Sequence, residues 1–191
     1  MDTEAELRSI EHVLTEIIGR PSRWSGRVEF TDDPEILGQK PFRCDVVLNG
    51  TLLGQEARWR TLIHERLHSY SAGYNSPDYQ AYVGWEEGVV EALQRRLRPK
   101  VLARLGVTVL EAVFEAEEVQ HRYNRYIAAL ESLRRILNTE PGAFYLGLLA
   151  VPVRERPAFL LGPGLPLPPV RRTAYVMTSS RSDAALRKGK H

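Results

Sequence analysis

His64-Glu65-Arg66-Leu67-His68 sets two imidazoles four residues apart, with a carboxylate beside the first. On a helix, residues at that spacing differ by only ~40° in azimuth and ~6 Å along the axis. Both imidazoles can therefore converge on one Zn2+ at ~2.0–2.1 Å. Glu65 projects to one flank, misses the ion and reaches a water beside it. Zinc lowers the pKa of such a water toward ~7, and the glutamate takes its proton during attack on a carbonyl. The chemistry open to these three residues is hydrolysis, with Glu65 as general base. The competing reading is a helix carrying two incidental surface histidines.

A catalytic zinc commonly has three protein ligands and one open position. Gly84-Trp85-Glu86-Glu87-Gly88 opens the next predicted helix, and eighteen residues separate His68 from Glu87. An antiparallel return of a helix–loop–helix brings a carboxylate at that position back to the histidines. Glu86 stands beside it, so the two adjacent glutamates remain open at this point. Asp78, in the connection between the helices, is the alternative third ligand. Glu91 lies one turn beyond Glu87 on the same face. It reads either as an acceptor for a ligand imidazole N–H or as a surface carboxylate paired with Arg95.

This pattern resembles the gluzincins, the thermolysin- and aminopeptidase-like zinc peptidases. The likeness covers about residues 60–95, or 42–98 with a preceding strand. In that family the third ligand is a helix-borne glutamate in an aromatic–x–Glu–Gly setting, and Trp85-Glu86-Glu87-Gly88 looks like that setting. The resemblance implies one zinc held by His64, His68 and Glu87, with Glu65 as base and a peptide or protein as substrate. It also implies that Cys44–Leu48 is the edge strand that aligns an extended peptide by backbone pairing. The metzincin alternative fails, since it wants Gly three and His six positions after His68, where Ser71 and Tyr74 stand. In relatives a Tyr, His or Arg from a later helix assists at the developing oxyanion. His121, Tyr123 and Tyr126 are the candidates here. Tyr123 and Tyr126 lie on an apolar stripe and read first as core, whereas His121 lies off it and reads as solvent-facing.

The elements that must position these residues follow from hydrophobic periodicity. Leu7, Ile10, Val13, Leu14 and Ile17 predict a helix over 4–18, stopped by Gly19 and Pro21. Short strands are expected at Arg27–Phe30 and Cys44–Leu48, the second closed by Asn49-Gly50. Trp59, Ile63, Leu67 and Tyr70 form the buried stripe of a helix over 53–72. A loop is expected over 74–80, and a second helix over 83–97, ending before Pro99. The Arg95, Arg96, Arg98 and Lys100 ridge reads as a solvated helix end favoured by the helix dipole. A long third helix is expected over 108–137, with a short one after Pro141. The Pro- and Gly-rich stretch 161–169 should be extended. Pro166, Pro169 and Arg171 formally match a proline-recognition ligand pattern, with a plain linker as the favoured reading.

Composition bounds the rest. The chain has 191 residues, of which 43% are apolar and 26% charged, enough for a real core. Its one cysteine, Cys44, excludes an intrachain disulfide and paired-cysteine zinc sites, and reads as a buried strand residue. No Gly-x-Ser-x-Gly elbow or P-loop occurs. No secretory leader or membrane span is apparent, so a cytoplasmic location is expected. The net charge is +2, and the basic excess collects at Arg171, Arg172, Arg181, Arg187, Lys188 and Lys190. That reads as a solvated, mobile tail, and nucleic-acid binding is not expected. The expected architecture is α+β, a minimal zincin-like core: a small mixed sheet packed on the active-site helix, then a glutamate helix and a long C-terminal helix. The expected domains are a metallopeptidase domain at 1–156 and a Pro-rich arm with a basic tail at 157–191. The functional expectation is a zinc metallopeptidase. The alternatives are a narrow-specificity regulatory protease of one partner and a non-catalytic zinc-binding interaction module.

Overall fold

A computed structural model of the chain describes residues 2–33, 35–39, 45–161 and 169–187. Within these residues the fold is α+β. The elements run α1 (Thr3–Ile18), β1 (Val28–Thr31), β2 (Gly38–Gln39), β3 (Val46–Asn49), α2 (Arg58–His68), α3 (Ser76–Ala81) and α4 (Val83–Arg104). They continue with α5 (Glu111–Glu118), α6 (Asn124–Leu137), α7 (Pro141–Ala150), α8 (Arg156–Leu161) and α9 (Pro169–Arg187). The chain divides into two compact units. One is Met1–Tyr70 with Gln94–His121, and the other is Ser71–Leu93 with Arg122–His191.

In the first unit, α1 forms where its sequence periodicity predicts. Asp2 caps it by accepting from the Glu4 and Ala5 N–H groups, and Gly19 ends it in the left-handed region at φ +76°. Its apolar face, Leu7, Ile10, Val13 and Leu14, is buried. The sheet is mixed, in the order β1-β3-β2: β1 runs parallel to β3, with Val28 opposite Val46, and β2 runs antiparallel, with Gly38 opposite Leu48. This corrects the expectation of an edge strand at Cys44–Leu48. The strand there is Val46–Asn49 and is central, and β2 is an edge. β2 has two residues, too few for alternation to show in a sequence. Cys44 lies outside the described residues.

The helix that carries the His-Glu-x-x-His motif is buried on every side, from Arg58 to His68. A surface helix buries one stripe, and a helix buried all round belongs to a core. This one is polar, so its charges need partners. Arg58 pairs with Glu6 at 3.0 Å, and Arg60 with Glu117 at 3.6 Å. Arg66 pairs with Glu11 at 2.9 Å and stacks over the Trp24 ring at 4.1 Å. Burial pulls the Arg66 guanidinium down to about 10, against the pull of Glu11. The reading of the motif as incidental surface histidines therefore fails.

Two helix boundaries also move. The second helix does not stop before Pro99. It continues to Arg104, because Val101 and Leu102 beyond the proline are buried and their packing outweighs one lost backbone bond. Arg98 is not a solvated helix end: it is 2% exposed, stacks over Phe114 at 4.1 Å, and bonds Glu111 and Glu118 near the two ends of α5. The long helix predicted over 108–137 is two helices, α5 and α6. The apolar stripe lapses after Phe114, across Glu115–His121, where Val119 is 75% exposed.

In the second unit, α3 replaces the loop expected over 74–80. Asn75 caps it by accepting from the Asp78 N–H, and Pro77 lies in its first turn. α4 packs against α6 and α9 through glycines. A Cβ on Gly88 would fall 2.9 Å from Leu130 Cδ1 and 3.0 Å from Tyr126 Cβ, and one on Gly84 would fall 2.6 Å from the Leu186 carbonyl. Most of the expected basic tail is the helix α9, with Leu186 buried. The Pro-rich stretch 162–168, with Pro166, lies outside the described residues.

Candidate metal centre

His64 and His68, one turn apart on α2, bring their Nε2 atoms to 3.2 Å. Glu87, on the second turn of α4, supplies the third group. One ligand-type atom from each of the three lies within 4.8 Å of the others, and all three residues are buried. Exposure is 8% for His64, 3% for His68 and 3% for Glu87. These residues can hold a metal ion.

The donor set fits such an ion. Two nitrogens each ~2.0–2.1 Å from one ion at a tetrahedral angle stand about 3.3 Å apart, and the Nε2 atoms are at 3.2 Å. An imidazole–imidazole hydrogen bond has the same length. Glu87 adds a buried carboxylate to the imidazole pair. Two imidazoles with one carboxylate is a donor set of catalytic zinc sites.

Glu65 is 6% exposed and is not part of that group. It stands against the edge strand β2. A Cβ built on Gly38 would lie 3.0 Å from Glu65 Cγ, 3.2 Å from Glu65 Oε1 and 2.4 Å from Thr61 Cγ2. Only a glycine lets that strand approach the helix at this point.

The remaining expected residues separate clearly. Glu86 is committed elsewhere: its Oε2 pairs with Arg156 Nη1 at 2.7 Å and accepts from Ser71 Oγ at 2.6 Å, with both charged side chains fully buried. Of the two adjacent glutamates, Glu87 is the one in the cluster. Asp78 is outside the cluster; its carboxylate accepts from the Asn75 amide at 2.8 Å, within the cap of α3. Glu91 is fully buried, which overturns its reading as a surface carboxylate. The Tyr126 ring is 2% exposed and fills the space over Gly84 and Gly88, a packing role. His121 is half-buried in the break between α5 and α6.

Tyr123 and Glu87 both act electrostatically on Arg122 and on Tyr79. The Tyr123 hydroxyl accepts from Arg122 Nη2 at 2.9 Å. Partial burial works against the Arg122 charge. Tyr123, Glu87 and Tyr79 outweigh it and leave the guanidinium above its usual range.

Three residues escaped sequence reasoning. The Tyr79 hydroxyl donates to Glu87 Oε1. Burial first, and the Glu87 carboxylate second, push that phenol far above its usual range, so it stays a neutral donor. A signal for it existed: Asn75-Ser76-Pro77-Asp78 is a helix-start pattern. Arg156 and Gly38 had none, because their partners lie far away in sequence. No helix among the described residues is long and apolar enough to cross a membrane. No protein-family model, no curated protein and no solved structure matches this chain.

Proposed function

We propose that this chain is a zinc-dependent peptidase of the gluzincin type, with His64, His68 and Glu87 as metal ligands and Glu65 as general base. The observation that carries the reading is the buried convergence of Glu87 with His64 and His68, the two histidines lying on the helix that also carries Glu65. Bound zinc would polarise a substrate carbonyl and make water a competent nucleophile near neutral pH. Glu65 accepts the proton of the attacking water at its carboxylate and returns it to the leaving amine. Its burial against Gly38 and Thr61 limits competing hydration and fixes its rotamer. Tyr123, with its hydroxyl bonded to Arg122, is the donor proposed for the oxyanion. In place of Cys44–Leu48, the substrate-aligning edge in this proposal is β2, whose Gly38 abuts Glu65. An extended peptide paired along it would be presented to the base.

The test is a peptide library incubated with the full chain and read by mass spectrometry. New termini should appear with zinc, vanish with a chelator and return on zinc addition. Zinc-bound protein that produces no new terminus would exclude a peptidase with activity on free peptides and favour the non-catalytic module.

A further inference from the structure

We propose that Tyr79 is a positioning residue for Glu87, its phenol holding the carboxylate ready for the metal before the ion arrives. The inference rests on the metal reading of the His64, His68 and Glu87 cluster. It adds a residue that neither the motif nor the family resemblance names.

The geometry is local and well fixed. Tyr79 lies on α3, four residues before the start of α4, and its hydroxyl donates to Glu87 Oε1. The start of α3 is held by Asn75, whose side chain accepts from Asp78 N–H at 3.0 Å and donates to the Gly73 carbonyl at 2.7 Å. The Tyr74 ring meets the Tyr79 ring edge-on, with centroids 5.7 Å apart. Tyr79 is therefore a donor on a pinned support. A glutamate has three rotatable bonds, and an untethered one samples many rotamers before binding an ion. A fixed donor on one carboxylate oxygen removes much of that freedom in advance, which is preorganisation. The phenol is suited to this, since a neutral hydroxyl adds no charge to compete with the ion.

Hydrogen-bond partners of metal ligands typically change metal affinity by about 10–100-fold when removed. Tyr79→Phe removes only the hydroxyl and keeps the ring packed on Tyr74. The experiment measures zinc affinity of the metal-free full chain by competition with a chromophoric chelator. Cobalt substitution gives a visible spectrum of the site, and the melting temperature of the metal-free protein is measured in parallel.

The expected result is roughly 10–100-fold weaker zinc binding in Tyr79→Phe and an altered cobalt spectrum, with little change in the metal-free melting temperature. Gln80→Ala, an exposed change on the same helix, should leave affinity unchanged. In a Glu87→Ala background, which removes the acceptor of the Tyr79 hydroxyl, Tyr79→Phe should cost no further affinity. Tight zinc binding by wild type with unchanged affinity in Tyr79→Phe overturns this inference and leaves the metal reading standing. An equal loss in Gln80→Ala, or an undiminished loss in the Glu87→Ala background, assigns Tyr79 a merely structural role and also overturns it. Failure of the wild-type chain to bind zinc at all overturns the metal reading, and this inference with it.

Discussion

Under the proposed mechanism, Glu65→Gln lowers peptide cleavage by about 10²–10⁴-fold while leaving zinc bound and the fold intact. The substitution keeps the length and shape of the side chain that fits under Gly38 and beside Thr61, so no cavity opens. It removes only the capacity to take a proton. General-base catalysis by a positioned side chain contributes typically 10²–10⁴-fold, so kcat/KM should fall by about that factor. Glu65 is outside the ligand group, so zinc stoichiometry should not change. Cleavage within a few-fold of wild type would remove Glu65 from the mechanism.

The second large effect is on stability, at the buried pair of Glu86 and Arg156. Both side chains are fully buried at 2.7 Å. Arg156 Nη1 also donates to the Trp85 carbonyl at 3.0 Å, and Nε to the Val151 carbonyl at 3.2 Å. Burial depresses the Arg156 guanidinium, and Glu86 works against that and holds its charge in place. Glu86→Ala leaves that cation without its counter-charge. Breaking one side of a buried pair costs about 3–5 kcal/mol, which in a chain of this size lowers the melting temperature by roughly 6–20 °C. Replacing both partners with apolar residues, Glu86→Leu with Arg156→Met, should recover much of the loss. The pair anchors Trp85 and Glu86 in the first turn of α4, next to Glu87. The single change should therefore also weaken zinc binding. Thermal melts of the wild type and the two variants check the order. A single variant as stable as wild type would mean that the pair does not hold α4.

What the sequence made legible was whatever repeats locally. His64, Glu65 and His68 announce themselves because a helix converts a spacing of four into convergence, and Glu87 followed from the length of a helix–loop–helix return. α1 and the buried stripe of α2 were legible for the same reason. Contacts across long sequence distances were not. Arg156 reaches Glu86 from seventy positions away, and nothing near either residue marks the pair. Gly38 looks like an ordinary loop glycine until Glu65 is set against it. α4 runs through Pro99 because of apolar residues packed beyond it, a tertiary cause that overrides a local signal. α9 forms in a stretch whose charge suggested a solvated tail, where Leu186 and Tyr175 find buried positions.

The most direct measurement is a zinc titration of metal-free full chain, with X-ray absorption on the loaded protein. The account predicts one zinc per chain, a nitrogen and oxygen shell at ~2.0–2.2 Å that includes two imidazoles, and loss of binding in His68→Ala. No stoichiometric zinc, or binding that survives His68→Ala unchanged, would contradict it.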